Sequence, residues 1–233
     1  QGEGWDLRGT EDDPYAGTTV HEWKSGNVDL KTEQDNTVVK VWLDKPLAPG
    51  GKTVFDIRFT THWTYEAQRR MKLFDAWGHK HFDGTHWYPR IAVYDRKMGW
   101  DTQQHLGSEL YGDFGCFDVS LDFPADYVLE ATGWLQNPQD VMPDELRKRL
   151  DIGNFKDKEW DSAPSTITPH DTLVRKTWRF HAENVHDFAF TADPTYRIGE
   201  ATWNGVRCVA LAQEPHCSGW QNAASYNAKT IKA

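Results

Sequence analysis

Apolar and polar residues alternate along much of this chain, the period-two signature of half-buried β-strands. The clearest case is residues 114–123, where Phe117, Val119, Leu121 and Phe123 fall on one face. Residues 52–61 alternate through Val54, Phe55, Ile57 and Phe59, and residues 37–43 are β-branched and partly alternating. Between those two lie two prolines and two glycines in residues 44–51, which predicts a turn and an antiparallel hairpin across it. Shorter strand patterns cover residues 27–31, 87–94, 127–135, 172–182, 188–192, 196–198 and 206–212.

The remaining segments lack that period. Residues 1–26 are rich in Gly, Asp and Thr and predict an irregular edge. Residues 64–84 mix aromatics with Arg69, Arg70, His79 and His81, and predict a long loop; residues 156–170 predict another. Residues 143–150 open with Pro143, carry acids in the first turn and bases in the last, and so predict one short helix matched to the helix dipole. Residues 221–233 resemble the start of a helix with no partner. Nine or ten short strands, one helix and no internal repeat imply an all-β chain: an antiparallel β-sandwich forming a single domain over residues 1–233.

Composition sharpens this without redirecting it. Hydrophobic residues make up 38% of 233 and aromatics 13%, enough for a substantial core. The formal charge of −9 repels a phosphate backbone, which argues against nucleic acid as a partner. No apolar run approaches the roughly 20 residues of a membrane-spanning helix. No signal-peptide pattern precedes Gln1, which says little about where the parent protein resides. Cys116, inside a predicted strand, reads as a small core residue. Cys208 and Cys217 straddle a Pro215-His216 turn, and are either a disulfide that suits an exported protein or two free thiols.

Motifs for chemistry are mostly missing. His21-Glu22 begins like H-E-x-x-H, but Ser25 stands where the second His belongs. The sequence contains no G-x-S-x-G elbow and no phosphate-cradling G-x-x-x-x-G-K-[ST] loop. His79, His81 and His86 form a His-rich stretch that reads as a polar loop rather than a metal site. No catalytic and no metal-binding residue is therefore assigned to this chain. Twelve tryptophans, several in loop-like context, keep a second reading open: a free-standing sandwich that binds carbohydrate or protein.

Four stretches together resemble the amino-terminal domain of aminopeptidase N-like zinc metallopeptidases (gluzincins), in particular a bacterial branch. They are residues 43–53 (Leu43-Asp44-Lys45-Pro46-Leu47-Ala48-Pro49-Gly50-Gly51-Lys52-Thr53); His86-Trp87-Tyr88-Pro89-Arg90-Ile91-Ala92-Val93-Tyr94-Asp95 with Gly99-Trp100; residues 114–136 with Ala131-Thr132-Gly133; and Phe180-His181-Ala182-Glu183-Asn184-Val185-His186-Asp187-Phe188-Ala189-Phe190. They occur in the family's order across roughly residues 40–195.

The resemblance implies a saddle-shaped β-sandwich that packs on a thermolysin-like catalytic domain and helps shape the site for a peptide substrate's N-terminus. It also implies that H-E-x-x-H, a distal Glu and the zinc cofactor belong to that second domain, the expected partner, and are not in this chain. A loop of the family's amino-terminal domain presents Gln or Glu to the substrate amine. The matching positions here are His86 and Tyr88, which depart from that pattern and become the candidate substrate-binding residues. Asp95 matches a family acid and reads as a turn cap. A domain built to pack on another should also expose apolar side chains, expected near residues 85–95 and after Val206.

Overall fold

A computed structural model describes residues 17–63, 71–104, 111–159, 161–214 and 217–232. Strand accounts for 46% and helix for 14%, in several antiparallel sheets, so the all-β, sandwich-like reading holds. The Cα positions divide the chain into two compact units: residues 1–71 with 86–114, and residues 72–85 with 115–233.

The first unit contains β1 (Gly17–Ser25), β2 (Val28–Asp29), β3 (Lys31–Asp35), β4 (Val38–Trp42) and β5 (Asp56–His62). Strand β1 pairs antiparallel with β2 and β5, and β3 pairs with β4. Two expectations need correction here. Part of the irregular edge expected at residues 1–26 is the nine-residue strand β1; residues 1–16 lie outside the described residues. The register slips by one at His21, between Val20 and Glu22, and this bulge breaks the alternation that would have marked the strand.

The hairpin expected between residues 37–43 and 52–61 also does not form. Strand β4 instead turns back on β3 through a two-residue link in which Asn36 takes φ 49°, a left-handed conformation that Asn tolerates. All five residues of β3 are polar and exposed, so no hydrophobic period announced it. Lys31 and Lys40 sit over the Trp42 ring at 4.8 and 4.7 Å, covering the hairpin's one large aromatic.

The second unit holds β6 (Lys72–Ala76) and β7 (His79–Gly84), an antiparallel hairpin within the stretch expected to be a loop; of that stretch, residues 64–70 lie outside the described residues. Its turn residues Trp77 (φ 52°) and Gly78 (φ 76°) are both left-handed, which fits the right-handed strand twist. A bulky Trp in the first of those positions disguised the turn. After the short first-unit strands β8 (Tyr94–Asp95) and β9 (Gly99–Trp100) come β10 (Gly115–Pro124), β11 (Val128–Ala131) and β12 (Trp134–Leu135). Residues 87–93, expected as strand, are irregular, and Pro89 removes a ladder donor there. Helices α1 (Pro138–Val141) and α2 (Asp144–Arg149) follow, then β13 (Arg175–Val185), β14 (Phe190–Asp193), β15 (Tyr196–Trp203), β16 (Val206–Gln213) and α3 (Ala223–Lys232).

One sheet of this unit has the order β10-β13-β12 and another β11-β14-β7-β6. Phe123 of β10 meets Phe82 of β7 (5.9 Å) and Phe190 of β14 (6.0 Å) edge-on, joining the inner faces of the two sheets. Alternation along β10 sends Phe117, Val119, Leu121 and Phe123 inward, as expected. The same alternation places Cys116 on the exposed face, which corrects its assignment to the core.

Residues 127–135 are not one strand. β11 pairs with β14 and β12 with β13, so the chain changes sheets at Thr132-Gly133. Gly133 has φ +91°, and a Cβ there would collide with the His181 carbonyl oxygen, so only glycine fits the corner.

Around α2, Leu150, Val128, Tyr196 and Ile198 form a buried cluster with Leu146 packed on it. Fully burying a side chain such as Leu150 contributes about 1.5–3 kcal/mol. Helix α3 is not partnerless. Ala224 and Ala228, one turn apart, are buried while the helix packs on β15 and β16.

Candidate functional site

In the first unit, Trp87 anchors the segment that carries the two candidate residues. Thr61 Oγ1 of β5 donates to the Trp87 carbonyl at 2.7 Å, and the Trp87 ring lies 6.3 Å from that of Phe59. Tyr88 packs edge-on against Trp87 at 5.3 Å and is half-buried. His86 is exposed and takes φ 53°. A left-handed non-glycine backbone costs on the order of 1 kcal/mol and persists only where its surroundings impose it. His86 and Tyr88 thus flank one anchored tryptophan in sequence, the first exposed and the second half-buried against its ring.

Downstream, Val93 is buried and its carbonyl accepts from Asp101 N at 2.8 Å. This holds the base of the β8–β9 hairpin. Asp95 Oδ1 accepts from Lys97 N (2.7 Å) and Met98 N (2.6 Å), the turn-capping role expected of it. Across the hairpin Tyr94 and Trp100 are register partners with rings 5.2 Å apart, exposed by 63% and 58%. Ile91 and Met98 are exposed as well.

Two charge clusters that the sequence did not disclose lie in the second unit. His81 of β7 is buried, with Nδ1 2.9 Å from Asp193 Oδ2 and Nε2 3.2 Å from Asp83 Oδ2. Burial pulls the imidazole's pKa down, but hydrogen bonds to Asp193 and Asp83 outweigh it and raise the value to about 9. Asp193 also accepts from Thr195 N and Oγ1, both at 2.6 Å, and Phe74 stacks on the imidazole at 4.3 Å. Every polar arm of this His is occupied by structural partners, and no open face is left for a substrate.

The other cluster joins Arg197 of β15 to Glu214, both fully buried. Arg197 Nε donates to Glu214 Oε2 at 2.8 Å, and Nη2 pairs with the same carboxylate. Lys158 Nζ reaches Glu214 Oε1 at 2.7 Å, and Ser165 donates to Glu214 through N and Oγ, both at 3.1 Å. Burial, the largest influence on the Glu214 carboxyl, pushes its pKa up; Lys158 and Arg197 together overcome it and hold the value below the usual range. Phe155 covers the guanidinium at 4.4 Å. This cluster ties the loop carrying Lys158 and Ser165 to the β15–β16 hairpin.

His21 and Glu22, the incomplete zinc motif, lie on strand rather than helix. His21 Nε2 is 2.8 Å from Thr60 Oγ1, and Glu22 pairs with Lys24 and Arg58. Among the described residues no group of three or more His, Cys, Asp or Glu could hold a metal ion. The zinc that the resemblance implies belongs to a second domain, and no catalytic step is assigned to these residues through it. Cys208 and Cys217 are buried free thiols, so the case for export based on a bridge between them falls away. A shallow hollow of about 280 Å³ lined by His21, Glu22, Trp23 and Arg58 is below the size of ordinary small-molecule pockets. No helix among the described residues is long and apolar enough to cross a membrane. Compared with known proteins, the chain matches no family model, no curated protein and no solved structure.

Proposed function

We propose that this chain is a non-catalytic, amino-terminal domain of an aminopeptidase N-like zinc metallopeptidase, which packs on the catalytic domain and helps form the site for a peptide's N-terminus. The supporting observation is the segment from His86 to Trp100. Within fifteen positions it combines an exposed His on a left-handed backbone with four exposed large apolar side chains, Ile91, Tyr94, Met98 and Trp100. Exposed polar residues held in uncommon backbone conformations cluster at functional sites, and clustered apolar exposure marks interaction surfaces. His86 would offer a ring nitrogen to the substrate amine and Tyr88 a pocket wall. Zinc would supply an activated water and a Lewis acid in the catalytic domain. Exposed Val206, Trp220, Tyr226 and Ile231 in the second unit agree with apolar exposure after Val206.

Translating the gene beyond the codon for Ala233 tests this proposal. An H-E-x-x-H helix followed by a distal Glu is expected. A reading frame that ends without one refutes the assignment. In the longer enzyme, His86→Ala should raise KM for aminoacyl-anilides with a smaller effect on kcat. An unchanged KM would remove His86 from the site.

A further inference from the structure

The outer face of the β10-β13-β12 sheet is mostly polar, with exposed Cys116 on β10 and one large aromatic side chain on β12. Trp134, in β12, is 59% exposed, and among the described residues no ring or cation packs against it. Isolated exposed apolar residues are ordinary, but this one is held in place. Gly133 at φ +91° fits directly against the His181 backbone, which sets Trp134 in register opposite His181. His181 in turn pairs in register with Asp118, so indole, imidazole and carboxylate occupy one row across three strands.

Adjacent strands lie about 4.8 Å apart, so this row spans on the order of 10 Å, the length of a disaccharide. His181 Nδ1 is 2.7 Å from Asp118 Oδ1, and Nε2 is 3.3 Å from Glu183 Oε1. The carboxylates of Asp118 and Glu183, accepting from the ring nitrogens, raise the imidazole's pKa. Two residues along the strands, Arg179 faces outward opposite Ser120, and no carboxylate pairs with its guanidinium among the described residues. Beyond it, Asp122 is held by Arg175 and Thr177.

Carboxylates and cations are mixed on this face. Asp118, Asp122 and Glu183 are interleaved with Arg175, Arg179 and the His181 imidazole, so neither sign of charge forms a patch that would select an anion or a cation. A neutral ligand rich in hydroxyls, with one apolar face, gains from every part. Its C–H face stacks on the indole, whose ring face is electron-rich, and its hydroxyls donate to Asp118 and Glu183 and accept from Arg179.

We propose that this sheet face is a saccharide-binding surface, with Trp134 as the stacking platform for a neutral oligosaccharide. It is independent of the peptidase reading: either can fail without the other. The test is a ¹H–¹⁵N NMR titration of the intact chain with cellohexaose and xylohexaose, using trigalacturonic acid as the anionic probe. The cross-peak lost in Trp134→Ala identifies the Trp134 indole N–H. That peak should shift saturably with a neutral hexaose, with a Kd on the order of 1 mM. Trp134→Ala should weaken binding at least about tenfold and Trp134→Phe much less, because the phenyl ring still stacks. Arg179→Ala, on an exposed position where folding is not at risk, should weaken binding severalfold. The proposal is overturned if neither neutral hexaose moves the peak at roughly 10 mM. It is also overturned if only the anionic probe does, or if Trp134→Ala and Arg179→Ala both bind as the parent does.

Discussion

Replacing Glu214 with Ala tests how much of the second unit's stability depends on its buried charges. Arg197 and Glu214 are both fully buried, and Glu214 also receives Lys158 and two donors from Ser165. Removing the carboxylate leaves a guanidinium in the interior without its counter-charge. Breaking a buried pair in this way costs about 3–5 kcal/mol, against a total domain stability of about 5–15 kcal/mol. The exposed pair Lys148–Glu145 is equally short at 2.9 Å, but its side chains are 72% and 85% exposed, so Lys148→Ala should cost no more than about 0.5 kcal/mol. Hydrogen exchange at the Ile198 amide, which donates to the Leu150 carbonyl at 2.9 Å, reports on this region. At about 1.4 kcal/mol per factor of ten, Glu214→Ala should speed its exchange roughly a hundred- to few-thousand-fold. The double variant Arg197→Met, Glu214→Leu should recover part of the loss, because no guanidinium is left orphaned in the interior, while Lys158, a third exposed, loses its carboxylate but keeps Ser165 Oγ. An effect of Glu214→Ala no larger than that of Lys148→Ala would refute the reasoning, as would a double variant as damaged as the single one.

Three further outcomes are expected. His81 has a folded pKa of about 9 against about 6.5 unfolded, so its contribution, on the order of 3 kcal/mol, is complete below pH 6.5 and lost as pH rises through 9; urea midpoints from pH 6 to 10 should fall, and less so in His81→Gln. Gly133→Ala forces a side chain onto a left-handed backbone and against His181, and should cost about 2 kcal/mol or more, visible as a lower Tm; an unchanged Tm refutes the sheet-switching corner. Cys116 should react with a thiol reagent in the native chain, whereas Cys208 and Cys217 should react only on unfolding, since burial also pushes the Cys217 thiol up; rapid modification of all three would contradict their placement.

Legibility followed the range of the interaction. Strand β10 is readable because its side chains alternate without interruption, and the Asp95 cap because its partners are two and three residues away. Cys116 was readable in principle, since the alternation that buries Phe117 exposes its neighbour. Strand β1 was hidden by the His21 bulge, and the β6–β7 hairpin by Trp77 in a position usually held by Asn or Asp. The His81 cluster had no local signal, because Asp193 lies 112 positions away and enters through the pairing of β14 with β7. For His86 and Tyr88, the resemblance of short motifs suggested a role, while the exposure of one and the packing of the other came only from the fold.

Hydrolysis of an aminoacyl-anilide by the purified chain, with and without added zinc, tests the central claim most directly. The expected result is no turnover above the uncatalysed rate in either condition, because Ser25 stands where H-E-x-x-H needs its second His, and His21 and Glu22 lie on a strand with Thr60, Lys24 and Arg58 as partners. Turnover that depends on about one zinc retained per chain after dialysis, and that disappears when the zinc is chelated, would contradict the claim.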